Sequence, residues 1–257
     1  MALITLTTDF GYQDHYIAAL KARLLGTHVI DISHDISPFN ISHASYVLKN
    51  VFRDFPEGSI HLVSVNESTA VFDPCIGIKL EGHVFLGVDN GFFSLISALE
   101  PEEAVFLEGN EQSSNHVFYA KSILAPAALR LSGGASLQEL GVPAEQLKKR
   151  LNMQVKTAKN LISGNIVHID RYGNLITDIE KKVFDTICDG RDFVIKLGRE
   201  TTNVIHSSYN TREFGDYLAL FNSNGFLEIA LSNGHASDLL GVKRNYRVMI
   251  QFSPQRE

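Results

Sequence analysis

The chain has little with which to cross-link itself or hold a metal. Its 257 residues include two cysteines, Cys75 and Cys188, which exclude a disulfide framework, and no Cys/His spacing matches a zinc site. No run of Lys or Arg marks a surface for nucleic acid, and the formal charge of -6 is mild, so a polyanionic partner is not expected. No stretch approaches the roughly 20 apolar residues that span a bilayer. The opening MALITLTTDFGYQDH has no basic n-region, so no membrane partner is expected and the expected location is the cytoplasm. G-x-G-x-x-G, P-loop and G-x-S-x-G motifs are all missing, which removes the usual dinucleotide, nucleotide and serine-hydrolase signals.

What is present divides in two. Apolar runs at Ala2–Thr7, Val29–Ile32, Ser59–Val65, Val71–Leu80, Val84–Val88 and Ala104–Leu107 read as strands. Between them lie helical patterns: Tyr16, Ile17, Leu20 and Leu24 behind a capping Asp14, then Ala44, Val47, Leu48 and Val51, then a short Phe93–Leu99, and Ala125–Leu131. Alternation of this kind predicts an N-terminal α/β domain with a mostly parallel sheet, over residues 1–135. Ligands of such sheets bind beyond the carboxyl ends of the strands, where Asp9, Asn66 and Asp89 fall. Residues 136–160 are small and polar and read as a linker. From 161 to 257 only strands are expected, at Ser163–Asp170, Leu175–Ile179, Phe193–Leu197, Thr202–Ile205, Tyr217–Phe221, Leu227–Ala230 and Arg247–Phe252. Tight turns separate them, which predicts an all-β, barrel-like C-terminal domain.

Few residues announce chemistry on their own. Asp9, just past a buried strand, could accept both hydroxyls of a ribose, though spacing alone favours a turn Asp satisfying local amides. Asp170-Arg171-Tyr172-Gly173-Asn174 offers a stacking ring and a polar edge but is also an ordinary turn, as is Asn222-Ser223-Asn224-Gly225. The histidines, His61 and His168 among them, have no partner at a telling offset. Cys75 opens an apolar run and reads as a buried thiol rather than a nucleophile.

Taken in order, these segments resemble the family of S-adenosylmethionine hydrolases (hydroxide adenosyltransferases) and the related fluorinases and chlorinases. The resemblance is carried by ITLTTDFGYQDHYIAALK at 4–21, VIDISHDISPFNISHASYVL at 29–48, FLGVDNGFFSLI at 85–96, FYAKSILAPAA at 118–128, HIDRYGNLITDI at 168–179 and LFNSNGFLEIALSNGHASDLLG at 220–241. It implies an α/β domain joined to a β-barrel domain in a homotrimer, with S-adenosylmethionine as substrate or ligand at the subunit interface and no other cofactor. Matched position by position, Asp9 grips the ribose diol and Phe39 lies near the nucleoside. Asp14 is a further contact, and Tyr172 stacks in the site. Asp170 and Asn174 meet the methionine end, and Ser223 belongs to the loop around that end or the adenine.

The departures concern the nucleophile. Hydrolases of the family carry an Asp after the third strand, then an Arg, and a His before an Ala-Pro; the matching positions here are Asn66, Asp73 and Tyr119. Asn66 cannot take a proton from water, and Tyr119 cannot act as a base near neutrality without a large shift. Halogenases have a Tyr at the position of Tyr119 and a halide-contacting Thr at that of Thr69, but Ala120 offers no hydroxyl and the aromatic expected at Asn66 is absent. The expectation is an adenosyl-binding member whose displacement at ribose C5′, releasing methionine and adenosine, is altered or weak. The alternative is a non-catalytic sensor of S-adenosylmethionine or adenosine.

Overall fold

A computed structural model describes residues 2–67, 73–109, 117–151 and 154–254. Contacts divide the chain into residues 1–151 and 152–257.

In the first unit, β1 (Leu3–Thr8), β2 (His28–Ser33), β3 (Ile60–Ser64), β4 (Cys75–Leu80), β5 (His83–Val88), β6 (Glu103–Leu107) and β7 (Gly141–Pro143) form one sheet. Their order is β2-β1-β3-β5-β4-β6-β7. The first four in that order run parallel, and β4, β6 and β7 add antiparallel neighbours. The sheet is therefore mixed, its parallel part lying where strand and helix alternate in the sequence. Helices α1 (Tyr16–Arg23), α2 (Ile41–Lys49) and α3 (Ala125–Ser132) join the strands. β3 is buried at every position, so its alternate side chains feed two cores. Leu62 packs with Leu20 and Leu24 of α1 and Ala127 of α3, whereas Val63 packs with Ala44 and Leu48 of α2.

Two local expectations are corrected. Asp14 does not cap α1: the residue before the helix is His15, no side chain caps it, and Asp14 is exposed. Residues 136–151 are structured rather than a linker. Ser136 and Glu139 form a capping box around a short 3₁₀ turn at Leu137–Leu140, β7 adds to the sheet, and Lys148 and Arg150 are pinned to the strand ends.

The second unit holds β8 (Lys156–Ala158), β9 (Leu161–Ile169), β10 (Leu175–Glu180), β11 (Phe193–Leu197), β12 (Glu200–Thr202), β13 (Ile205–His206), β14 (Tyr217–Phe221), β15 (Phe226–Leu231) and β16 (Arg247–Phe252). The path is β12-β11-β16-β9-β10-β15-β14-β13, with β8 on β9. Where a barrel-like domain is expected, this curled sheet is a half-barrel with β12 and β13 at its two ends. Nor is the unit free of helices. α4 (Lys181–Cys188) and α5 (Ala236–Leu240) interrupt the strands. Phe184 of α4 sits among Phe193, Phe221 and Phe252, ring centroids 5.0–5.8 Å away, and joins the hydrophobic core of the unit. No helix among the described residues is long and apolar enough to cross a membrane.

Candidate functional site

Strand β1 delivers Asp9 to the carboxyl edge of the parallel sheet. Asp9 Oδ2 accepts the backbone N–H of Phe39 at 2.8 Å and that of Asn66 at 3.2 Å. Both donors hold left-handed backbone, with φ of 63° and 55°. Phe39 reaches that conformation behind Pro38 and is 71% exposed. An exposed Phe in the left-handed region is costly and persists only where its surroundings fix it; the Asp9 carboxylate supplies that constraint. Among the described residues Asp9 Oδ1 has no partner, so one carboxylate oxygen orders the loops and the other is left uncommitted.

The segment after β3 adds a residue the sequence reading passed over. Glu67 Oε1 accepts Ser64 Oγ at 2.6 Å and the backbone N–H of Ala120 at 2.8 Å. Burial pushes its carboxyl up to about 7, against hydrogen bonds from Ser64 and the amides of Ala120 and Tyr119, and with Asp9 adding repulsion. No spacing signal marks Glu67. Its burial comes from the π-helical turn Ala120–Leu124, more than fifty residues on. That turn also places Tyr119, whose phenol burial pushes upward, with Cys75, Glu67 and Asp73 adding negative charge. Tyr119 is thereby a proton donor near neutrality, not a base. Cys75 is buried at the start of β4 and its thiol is also raised, by burial first and Glu67 second.

Asp73 neither points to solvent nor presents a bare charge. It is 7% exposed and pairs with Lys148 Nζ, while the Lys148 backbone N–H donates to Asp89 Oδ1 at 3.0 Å. Arg150 Nε donates to Asn90 O at 2.7 Å, and Asn90 Nδ2 to Val65 O at 3.0 Å. Residues 148–150 thus tie the end of β5 to the segment before β4, and Asn90 ties the end of β5 to that of β3. The structure brings Asp9, Phe39 and Asn66 together and sets Asp73 and Tyr119 close enough to interact. Asp14 makes no hydrogen bond that joins it to them, and Thr69 lies outside the described residues.

In the second unit the β9–β10 turn is organised by Asp170. Its Oδ1 accepts the N–H groups of Tyr172 and Asn174, both at 2.9 Å, and Oδ2 accepts Asn174 Nδ2 at 3.0 Å. Gly173, at φ 81°, allows the ring of His235 to lie against the backbone where a Cβ would collide. Tyr172 is left 76% exposed, a free ring face on a rigid turn. Nearby is a buried carboxyl absent from the sequence reading: Glu228 accepts Tyr209 Oη at 2.6 Å and Asn222 Nδ2 at 3.2 Å. Burial raises it, with the Asp170 charge adding to the effect. Asn222 thereby anchors the turn that carries the exposed Ser223.

Two profiles of known domains match this chain: the SAM hydroxide adenosyltransferase N-terminal domain over residues 4–141 and the C-terminal domain over 164–249. The (R)-S-adenosyl-L-methionine hydrolase of Methanocaldococcus jannaschii is 32% identical across 93% of this chain and 92% of its own. A fluorinase of an Actinoplanes species is more distant, at 20% identity across 89% and 90%. A conserved protein of Thermotoga maritima, described as uncharacterized, superposes with a TM-score of 0.87 at 26% identity over 97% of this chain and 99% of that one. The chain belongs to the SAM hydroxide adenosyltransferase family.

Proposed function

We propose that this protein binds S-adenosylmethionine and transfers its adenosyl group from the sulfonium to water at ribose C5′, releasing adenosine and methionine. The observation that carries this reading is the Asp9 arrangement at the strand ends, in a chain similar throughout its length to an (R)-S-adenosyl-L-methionine hydrolase. A carboxyl group with one oxygen held by two amides and the other left without a partner is preorganised for a vicinal diol. Phe39 and the exposed Tyr172 ring suit a nucleoside and a sulfonium, since a cation is drawn to an aromatic face. Asp170 and Asn174 suit the amino-acid end, Ser223 the same end or the adenine, and Asp14 an outer polar contact. In-line displacement needs little covalent chemistry from the protein: it must align water with C5′ and exclude bulk solvent. The assembly proposed is a homotrimer with its ligand sites at the subunit interface, checked by light scattering at micromolar concentration.

A non-catalytic adenosyl sensor is the second reading. It is favoured by Asn66, which cannot accept a proton, and by the raised phenol of Tyr119. Incubation with S-adenosylmethionine, with and without chloride or fluoride, followed by chromatography, separates the two. Adenosine with equimolar methionine supports hydrolysis, a 5′-halogenated nucleoside supports halogen transfer, and tight binding without product supports the sensor.

A further inference from the structure

Glu67 stands one residue beyond Asn66, whose amide is fixed by Asp9. Its Oε1 is held by Ser64 Oγ and by the Ala120 amide, which follows Tyr119 in the chain. The carboxyl is therefore tied to both ends of the segment set where the hydrolytic residues of the family are replaced. Among the described residues its second oxygen, Oε2, has no partner. We propose that Glu67 takes the proton from the water that attacks C5′ of S-adenosylmethionine. This inference rests on the hydrolytic reading above.

The step balances without a co-reactant. A lone pair of the water oxygen forms the O–C5′ bond as the C5′–S bond breaks, and its electron pair returns to sulfur, giving the neutral thioether of methionine. The water proton passes to Glu67 Oε2, and the protonated carboxyl returns it to solvent. The groups around Glu67 leave it as the one suited to this task. Burial keeps the Cys75 thiol and the Tyr119 phenol protonated. Asp73 is paired with Lys148, and Asp9 is committed, Oδ2 to two amides and Oδ1 to the ribose diol in the reading above. A carboxyl raised to about 7 is close to the value at which a general base works best near neutral pH.

A purely structural role, securing the start of the helical segment at Ala120, would require only an acceptor at Oε1. Glu67→Gln keeps that acceptor and removes the base, so it distinguishes the two roles. The expected result is a fall in kcat of about 10²–10⁴-fold with S-adenosylmethionine affinity by calorimetry unchanged. The parent should also show a rate that rises with pH through a limb near 7. A Glu67→Gln protein turning over at the parental rate overturns the inference and leaves hydrolysis standing. A parent whose rate is flat between mildly acid and mildly alkaline pH overturns it without any variant. A parent that forms no adenosine overturns both this inference and the hydrolytic reading.

Discussion

Asp9 and Phe39 are joined by a hydrogen bond of 2.8 Å from the Phe39 backbone N–H to the Asp9 carboxylate, and Phe39 holds left-handed backbone with its ring mostly exposed. Asn66, also left-handed, gives its N–H to the same oxygen. Two loops from different strands are thus set by one carboxylate. Replacing Asp9 with Ala should lower stability by about 1–3 kcal/mol, since two amides lose a charged acceptor. Asp9→Asn retains an acceptor for those amides and should fold nearly as well, yet lose the affinity for S-adenosylmethionine that the charge provides. Paired calorimetric titration and thermal unfolding of both variants check this.

Phe39→Gly separates strain from recognition. Glycine reaches φ near 60° without the left-handed penalty of about 1–2 kcal/mol, and little buried surface is lost at an exposed ring. The variant should be as stable as the parent or slightly more so, while binding the nucleoside less well. A clear loss of stability would mean that the ring packs in a way its exposure does not reveal.

Asp73 and Lys148 form a pair whose acidic member is buried and whose basic member is half exposed. Asp73→Arg should destabilise by placing two cations together in a partly buried site, and adding Lys148→Glu should recover part of the loss. The reversed pair is worth about 1 kcal/mol or less, because position 148 is half exposed and solvent screens the charge placed there. Equal stability of the single and double variants would show that the pair is not coupled.

Acid sensitivity should come from His61. It is buried against Phe85, hydrogen-bonded to Thr5 at 2.7 Å and to His83 at 3.1 Å. Burial first, and the neighbouring His83 second, lower it to about 3. The unfolded chain, with an ordinary His, therefore binds the extra proton first as pH falls. Stability from this group is full above pH 6.5 and is lost progressively toward pH 3, by about 1.4 kcal/mol per pH unit. Because Glu67 acts in the opposite direction over much of this range, the check is urea unfolding of the parent and His61→Gln side by side at pH 7 and pH 5. The change from pH 7 to pH 5 should be less destabilising in the variant than in the parent.

Glu67 gives the opposite slope. Its folded value of about 7 lies above the ordinary 4.5, so the folded state holds more protons between those values and stability falls as pH rises through that window. Glu67→Gln removes the dependence and should raise the unfolding temperature more at pH 8 than at pH 5.

Much of the first unit was legible because its strands are short apolar runs separated by helical periods, and Asp9 was legible because it ends such a run. What escaped depends on contacts distant in sequence. Glu67 sits in a Val-Asn-Glu-Ser stretch that reads as a polar turn; only the turn at Ala120 buries it. Lys148 lies in a Lys-rich segment that reads as a linker, and its partner Asp73 is 75 residues away. Helix α4 was missed although Phe184 and Ile187 at three-residue spacing and Lys181 with Asp185 at four were available; surrounding strand patterns outweighed a helix of eight residues. Asp14 had the right residue type and place for a cap, but the helix begins too late for its side chain to reach a free amide. The barrel-like expectation reaches only as far as a curled half-barrel: alternation predicts strands, but closure depends on whether β12 and β13 pair, which no local pattern encodes.

Water as the nucleophile at C5′ is tested most directly by turnover of S-adenosylmethionine in ¹⁸O-enriched water, with mass spectrometry of the nucleoside. Adenosine carrying one ¹⁸O in its 5′-hydroxyl, formed with equimolar methionine, is the expected result. Unreacted S-adenosylmethionine, or adenosine without the label, would contradict it.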